Sequence, residues 1–259
     1  MTTNSEEPLA IFSHTFTVSY TDTDKYGELT FPNLFHYLEE IAFLHADEIA
    51  QKYEAKFSFD FAVVWTKMKV ELTKLPHWKD QIKISTWITP FDPSQKYAYR
   101  NFEFTKNGET IGHGYGSLLF FDLKKRIAIP IPKEVQGYPT YDEIPGDHRF
   151  NRITVSSSEK FASSVVHYYD LDIYQHVNNS KYLEFGLSQI ESNFINEHRL
   201  ISAELHFLKE LRMNDEVIIQ AETILLEDST SKIVQINQSI INKVKEKPAT
   251  LMQTDWIKR

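Results

Sequence analysis

The sequence contains no cysteine. This absence excludes disulfide bonds, thiolate-bound zinc, iron–sulfur clusters and a cysteine nucleophile. The chain also lacks an apolar run close to the ~18 residues that a membrane helix needs. Its first residues are polar and acidic, without the basic and apolar regions of a signal peptide. We therefore expect a cytoplasmic protein with no membrane segment.

An excess of positive charge is missing as well. The 28 Lys and Arg side chains are outnumbered by 36 Asp and Glu, which gives a net charge of −8. A charge of this sign argues against non-specific binding to nucleic acids. His36 and His45 lie nine positions apart in the sequence, which is not the spacing of metal ligands on a helix. The sequence therefore predicts no nucleic-acid partner, no metal and no cofactor.

Glycine is scarce, with eight residues in the whole chain. The sequence has neither a glycine-rich phosphate loop nor the Gly-x-Ser-x-Gly turn that carries the nucleophile of α/β-hydrolases.

The hydrophobic fraction of 41% is close to the globular average, which argues against wholesale disorder.

Prolines are concentrated in one stretch, at Pro130, Pro132, Pro139 and Pro145. Such clustering is typical of a linker rather than of a helix or strand. We predict a linker over residues 126–150, between an N-terminal domain of residues 1–125 and a C-terminal domain of residues 151–259.

The two halves repeat a short signature. In the first half Asp24 lies two residues before Tyr26, and in the second Asp172 lies two residues before Tyr174, 148 positions further on. A segment with helical apolar periodicity follows each signature, and Thr30 and Asn178 occupy the two predicted N-cap positions. A repeat of this kind indicates two copies of one domain.

Each predicted helix is followed by strand-like runs. The runs in the first half are 63–72, 81–88, 102–105 and 110–121, with Asn107-Gly108 as a hairpin turn; those in the second half are 202–208, 216–225, 233–241 and 249–257. The pattern predicts an α+β fold in which each half packs one long helix on an antiparallel sheet.

One segment of the second half is the most informative. Asp172-Ile-Tyr-Gln-His176-Val-Asn178-Asn179, followed by Tyr182, resembles the motif of the acyl–acyl carrier protein (acyl-ACP) thioesterases of plants and bacteria. That family also has a catalytic glutamate after a basic pair on a following strand, and Glu210 occupies the corresponding position. Two departures stand out: Tyr174 replaces an asparagine of the family, and Leu211 replaces a cysteine that often follows the glutamate.

The resemblance implies two tandem hotdog domains, the first shaping an acyl pocket and the second carrying the catalytic motif. It implies hydrolysis of fatty-acyl-ACP to free fatty acid, which ends fatty-acid synthesis, by a monomer or homodimer whose partner is acyl carrier protein. The implied catalytic residues are Asp172, Tyr174, His176, Asn178 and Glu210.

Each of these residues has an expected role. Glu210 is the general base or nucleophile, and His176 assists it beside a helix N-terminus. Asp172 is expected to brace His176, and the amides near Asn178 to polarise the carbonyl. Tyr174 takes the place of the family asparagine.

Two other functions remain open from the sequence. The protein could be an acyl-CoA thioesterase of the hotdog class, or a non-catalytic acyl-binding hotdog protein in which Tyr174 marks a lost site. Asp24 of the first copy is the competing catalytic carboxylate, because its surroundings resemble those of single-domain hotdog thioesterases.

Carrier proteins are acidic, so a local basic patch is expected near the mouth of the active site. The candidate clusters are residues 124–126, the lysines 243, 245 and 247, and residues 258–259.

Overall fold

The computed structural model describes residues 9–52, 61–91, 96–146, 149–156, 160–227 and 232–259. The strands are β1 Ile11–Thr17, β2 Phe61–Leu72, β3 Gln81–Ile88, β4 Tyr97–Lys106, β5 Glu109–Asp122, β6 Ile127–Ile129, β7 Lys160–Val165, β8 His198–Phe207, β9 Glu216–Glu227, β10 Lys232–Asn242 and β11 Lys247–Lys258. The helices are α1 Phe31–Lys52, α2 Lys133–Gln136, α3 Asn179–Leu187 and α4 Ser192–Glu197.

All strands belong to one antiparallel sheet of 11 strands, in the order β1-β3-β4-β5-β2-β8-β11-β10-β9-β7, with β6 paired to β5. Read inward from its two edges, the sheet has the same connectivity twice. The repeat seen in the sequence is therefore a repeat of structure, with β2 and β8 side by side at the centre. This arrangement confirms the predicted α+β fold and the side-by-side packing of two sheets.

The two halves join along a short stretch of ladder, in which Lys67–Glu71 of β2 pair with Ser202–His206 of β8. Met68 lies opposite Leu205 here, and both side chains are buried. One hydrophobic cluster runs through both halves. The sheet and the core are thus continuous across the joint.

Helix α1 packs on the inner face of the first half. Its apolar residues recur at steps of three and four, and Leu34, Leu38 and Ile41 are almost fully buried. They belong to the same cluster as Ile84 and Phe102 of the sheet. No helix in the described ranges is long and apolar enough to cross a membrane.

The second half has a shorter helix than its sequence predicts. The apolar periodicity continues from Leu183 to Phe194, but α3 ends at Leu187 and Phe194 lies in α4. Helix α3 also packs very close to the sheet at Gly186, where an added Cβ would lie 2.1 Å from the terminal methyl of Met252. The prediction of one continuous helix is wrong, because a close tertiary contact overrides periodicity here.

The predicted strands are found with changes of at most two residues at their ends, except that β4 begins five residues and β8 four residues earlier than predicted. The hairpin between β4 and β5 turns at Asn107 and Gly108, which have φ of 53° and 78°. These left-handed values are those of a two-residue hairpin turn. The predicted linker is not free of regular structure, because β6 and α2 lie within it.

The joint between the halves makes a testable contribution to stability. Leu205→Ala should lower the free energy of unfolding by ~2–5 kcal/mol, because it opens a cavity in a close-packed core. Leu225→Ala on β9 is the matched control: this side chain is 71% exposed, so the effect should stay within about 0.5 kcal/mol. Urea unfolding followed by circular dichroism measures both. Equal values for the two variants would contradict the central role of the joint.

Candidate active site

The motif of the second half forms a tight turn before α3. One oxygen of the Asp172 carboxylate accepts hydrogen bonds from the backbone N–H of Tyr174 at 2.8 Å and of His176 at 3.1 Å. Gln175, between them, has a left-handed φ of 64°. The aspartate therefore fixes the backbone from which the His176 side chain projects.

Asn178 then begins the helix. Its side-chain oxygen accepts from the backbone N–H of Ser180 at 2.9 Å, which makes it the N-cap of α3 as predicted. The backbone N–H of Val177 donates to the carbonyl of Leu211 at 3.0 Å, and the Leu211 N–H donates to the buried Tyr182 hydroxyl at 3.0 Å. These bonds hold the loop after β8 against the start of α3.

Glu210 lies in that loop, at the centre of a charged cluster. Its carboxylate is 2.9 Å from His176 Nε2, 2.9 Å from Arg212 Nη2 and 2.5 Å from Arg126 Nη2. Burial alone would raise the pKa of Glu210, but the hydrogen bond from Arg212 and the charges of His176 and Arg126 outweigh it and lower the pKa. Glu210 is therefore a carboxylate anion at neutral pH.

Arg126 reaches this cluster from the other half of the chain. It ends the turn between β5 and β6 with a φ of 56°, and its backbone N–H donates to the Asp122 carbonyl at 2.8 Å. The Asp122 carboxylate accepts from the backbone N–H groups of Lys124 and Lys125. Backbone hydrogen bonds therefore hold this turn of the first half, and the turn places the Arg126 guanidinium against Glu210 of the second half.

The first copy has the same turn with different side chains. The Asp24 carboxylate accepts from the backbone N–H of Tyr26 at 2.8 Å and of Glu28 at 3.1 Å, as Asp172 does in the second copy. Glu28 stands where the second copy has His176. Its carboxylate pairs with Arg259 at 2.7 Å, and that guanidinium lies 3.9 Å from the centre of the Tyr26 ring.

The first copy also lacks the glutamate. Leu29 N–H donates to the carbonyl of Pro76 at 2.7 Å, and this bond matches the one from Val177 to Leu211. The residue before Pro76 is Leu75, so Leu75 corresponds to Glu210. The first copy therefore keeps the scaffold, but it has a carboxylate, Glu28, in place of the His176 imidazole and an apolar side chain, Leu75, in place of the Glu210 carboxylate.

The structure brings together only some of the predicted site residues. His176 and Glu210 are in contact, and Asn178 caps the adjacent helix. Asp172 was expected to brace the imidazole, but the observed bonds are to backbone N–H groups, so its carboxylate shapes the turn. The Tyr174 side chain is 55% exposed and makes no hydrogen bond within the described ranges. A catalytic role for Tyr174 stays a prediction.

Three residues that contact the site were not identified as part of it. Arg212 follows Glu210 by two positions in the loop between β8 and β9, and this closeness in sequence is its only signal. Arg126 was expected to be a docking residue, yet it binds Glu210 directly. Glu39 of α1 accepts from the side-chain amides of Asn178 and Asn179. No sequence pattern links Glu39 to this site.

Comparison with known families agrees with this arrangement. The model described as "Acyl-ACP thioesterase N-terminal domain" matches residues 10–138, and the one described as "Acyl-ACP thioesterase C-terminal domain" matches residues 153–258. Together they account for both copies of the repeat.

Curated relatives come from plants. A chloroplastic acyl-acyl-carrier-protein hydrolase of Cuphea viscosissima is 24% identical over 160 residues, which are 59% of this chain and 39% of the relative. A dodecanoyl-acyl-carrier-protein hydrolase of Cinnamomum camphora is 21% identical over 230 residues, 83% of this chain and 59% of the relative. The chain thus spans well under two thirds of the length of these relatives.

Two solved structures share the whole fold. An acyl-ACP thioesterase of Bacteroides thetaiotaomicron superposes with a TM-score of 0.79 at 21% identity, over 95% of this chain and 98% of the other. The 12:0-ACP thioesterase of Umbellularia californica gives a TM-score of 0.77 at 16% identity, over 96% and 95%. At these identities the likeness establishes the tandem hotdog fold.

The charged cluster predicts a measurable shift in one titration. Arg212→Gln removes the strongest pKa-lowering contact of Glu210, so the pKa of this carboxyl should rise toward the ordinary glutamate range. Carboxyl carbon NMR of labelled protein measures it, with Glu210→Gln assigning the signal, over the pH range in which circular dichroism shows an intact fold. A midpoint that Arg212→Gln does not move would contradict this electrostatic account.

Proposed function

Because the chain belongs to the acyl-ACP thioesterase family, we propose that it hydrolyses fatty-acyl-ACP thioesters to free fatty acids and so ends fatty-acid synthesis. The observation that carries this proposal is the contact between His176 and Glu210 at the start of α3. Hydrolysis needs a base, a group that positions it and a positive field for the carbonyl oxygen.

His176 and Glu210 act as one unit in the proposed reaction. The carboxylate is the strongest acceptor near the imidazole, so Nε2 carries the proton and donates to Glu210. A water molecule bound at this pair gives one proton to the His176 imidazole, and the water oxygen attacks the thioester carbon. The thiol leaves with the proton that the pair took up, and a fatty acid remains. Because Glu210 stays ionised, it stabilises the imidazolium that forms between these steps.

The start of α3 supplies the positive field. The first N–H groups of a helix have no partner within the helix, and the helix dipole places partial positive charge there. Asn178 accepts from two of these N–H groups, that of Ser180 through its side chain and that of Lys181 through its carbonyl, which leaves the N–H of Asn179 without a partner in the described part of the chain. We assign the polarisation of the thioester carbonyl to this end of α3.

Removal of either reacting group should slow the chemical step. Glu210→Gln and His176→Ala should each lower kcat by ~100–10,000-fold, as expected for loss of a positioned base. Both side chains are partly exposed, so the fold should survive, which circular dichroism checks. Steady-state hydrolysis of a panel of acyl-ACP chain lengths gives kcat.

Asp24→Asn is the control from the first copy, where the same turn lacks the reacting side chains. It should change kcat by less than about tenfold, since its bonds are to backbone N–H groups. If Asp24→Asn abolished turnover while folded Glu210→Gln did not, the active site would lie in the first copy. Failure of wild-type protein to hydrolyse any acyl thioester would favour a non-catalytic acyl-binding role.

The choice between carrier protein and CoA can be tested at the basic turn beside the site. Lys125 is 74% exposed and lies one residue before Arg126. Lys125→Glu should raise KM for acyl-ACP several-fold, with a strong dependence on salt, because it repels an acidic partner during encounter. Hydrolysis of the matching acyl-CoA should change little.

Lys83→Glu makes the same charge change on an exposed residue of β3, near the far edge of the first half. It should leave KM for acyl-ACP unaltered. An equal loss on both substrates by Lys125→Glu would contradict a docking role for this turn. In the other candidate clusters, Lys243 pairs with Glu216 and Arg259 pairs with Glu28.

A further inference from the structure

Helix α1 of the first domain extends two polar side chains toward the start of α3 in the second. Glu39 accepts from the Asn178 side-chain amide at 3.0 Å and from the Asn179 side-chain amide at 2.6 Å. One turn earlier, His36 Nε2 lies 3.0 Å from the Ser180 hydroxyl. Two side chains one turn apart on α1 thus contact three successive residues at the start of the proposed active-site helix.

The Glu39 carboxylate lies between the two domains without a cationic partner among the described residues that would balance its charge. It is partly buried, and no lysine or arginine of the described ranges forms an ion pair with it. Burial raises its pKa, and the negative charge of Asp172 adds to the rise; the two amide bonds and the charge of His36 oppose it. A carboxylate without a full counter-charge lowers the stability of the fold when it ionises.

The amide of Asn178 cannot simply turn over to suit another partner. Its oxygen already accepts from the backbone N–H of Ser180 at 2.9 Å and from the Ser180 hydroxyl at 2.7 Å. Its NH₂ group must therefore face α1, and Glu39 is the acceptor that receives it. The N-cap geometry of the second domain thus depends on a side chain of the first.

We propose that Glu39 is a positioning residue for hydrolysis, which fixes the start of α3 through Asn178 and Asn179 so that the N–H of Asn179 at this helix end faces the thioester carbonyl. This inference rests on the proposed function. It makes the active centre a product of both domains, since the first contributes Glu39 and Arg126 and the second contributes His176 and Glu210.

The sign of the stability effect separates this role from a structural one. Because the folded-state pKa of Glu39 is raised, its favourable contribution to stability is present below the pKa of an unfolded glutamate, about 4.3, and is lost as the pH rises through the folded value. Glu39→Gln should therefore leave Tm at pH 8 equal to or above that of the wild type.

Activity should fall in a variant that lacks the side-chain oxygens of Glu39. Glu39→Ala removes both amide bonds and should lower kcat for acyl-ACP by about 10- to 100-fold, in line with the effect of small misplacements at active sites. KM should change little. Glu39→Gln keeps an oxygen for Asn178, and Asn179 can turn to accept from the new NH₂, so it should recover a large part of the rate. Glu40→Ala is the matched control, because Glu40 is the exposed next residue of the same helix.

An experiment without turnover keeps this inference separate from the proposed function. The side-chain amide signals of Asn178 and Asn179 in ¹⁵N NMR should move and exchange faster with water in Glu39→Ala, while Glu40→Ala leaves them in place. Unmoved amide signals, or an unchanged kcat in folded Glu39→Ala, would overturn the positioning role. So would a Tm of Glu39→Gln at pH 8 far below that of the wild type, with activity lost in proportion to the folded fraction. If the amide signals move in Glu39→Ala as described but the wild-type protein hydrolyses no acyl-ACP, the proposed function is overturned and the positioning of the helix start by Glu39 is not.

Discussion

The pairing of β2 with β8 is the constraint on which the rest of the molecule depends. Backbone hydrogen bonds between Lys67–Glu71 and Ser202–His206 turn two half-sheets into one. A ladder has a fixed register, so this pairing also fixes where the loops and helices of one domain meet those of the other. Helix α1 is thereby placed against the start of α3, and the turn before β6 against the loop after β8. Without this register the guanidinium of Arg126 could not reach Glu210.

The two copies show how one scaffold can serve two purposes. Both use an aspartate to accept two backbone N–H groups and thereby hold a tight turn. In the second copy the turn presents His176 to the carboxylate of Glu210, which contacts with Arg212 and Arg126 help to keep ionised. In the first copy the position of His176 is held by Glu28, whose carboxylate Arg259 neutralises, and the position of Glu210 is held by Leu75. The backbone of the turn is common to both, and the side chains that it presents distinguish the two copies.

Local sequence patterns predict the strands, the hairpin turn at Asn107-Gly108 and the N-cap at Asn178, because residues close in the sequence determine each of them. The break after α3 could not be predicted, since it accompanies the contact of Gly186 with Met252 of a distant strand. Contacts across 84 positions for Arg126 with Glu210, and 139 for Asn178 with Glu39, likewise leave no periodic trace in the chain. Spacing alone also could not tell whether Asp172 holds the ring of His176 or its backbone.

The difference between the two turns has a consequence for the evolution of such a sequence. In a symmetric pair of identical subunits, each substitution enters both equivalent sites at once. Here the two turns are separate stretches of one polypeptide, so an amino-acid change in one leaves the other untouched. Under the proposed function, Leu75 and Glu28 are therefore free of the selection for chemistry that acts on Glu210 and His176. The repeat within a single chain makes such asymmetry heritable, so the two copies can acquire different side chains on one backbone.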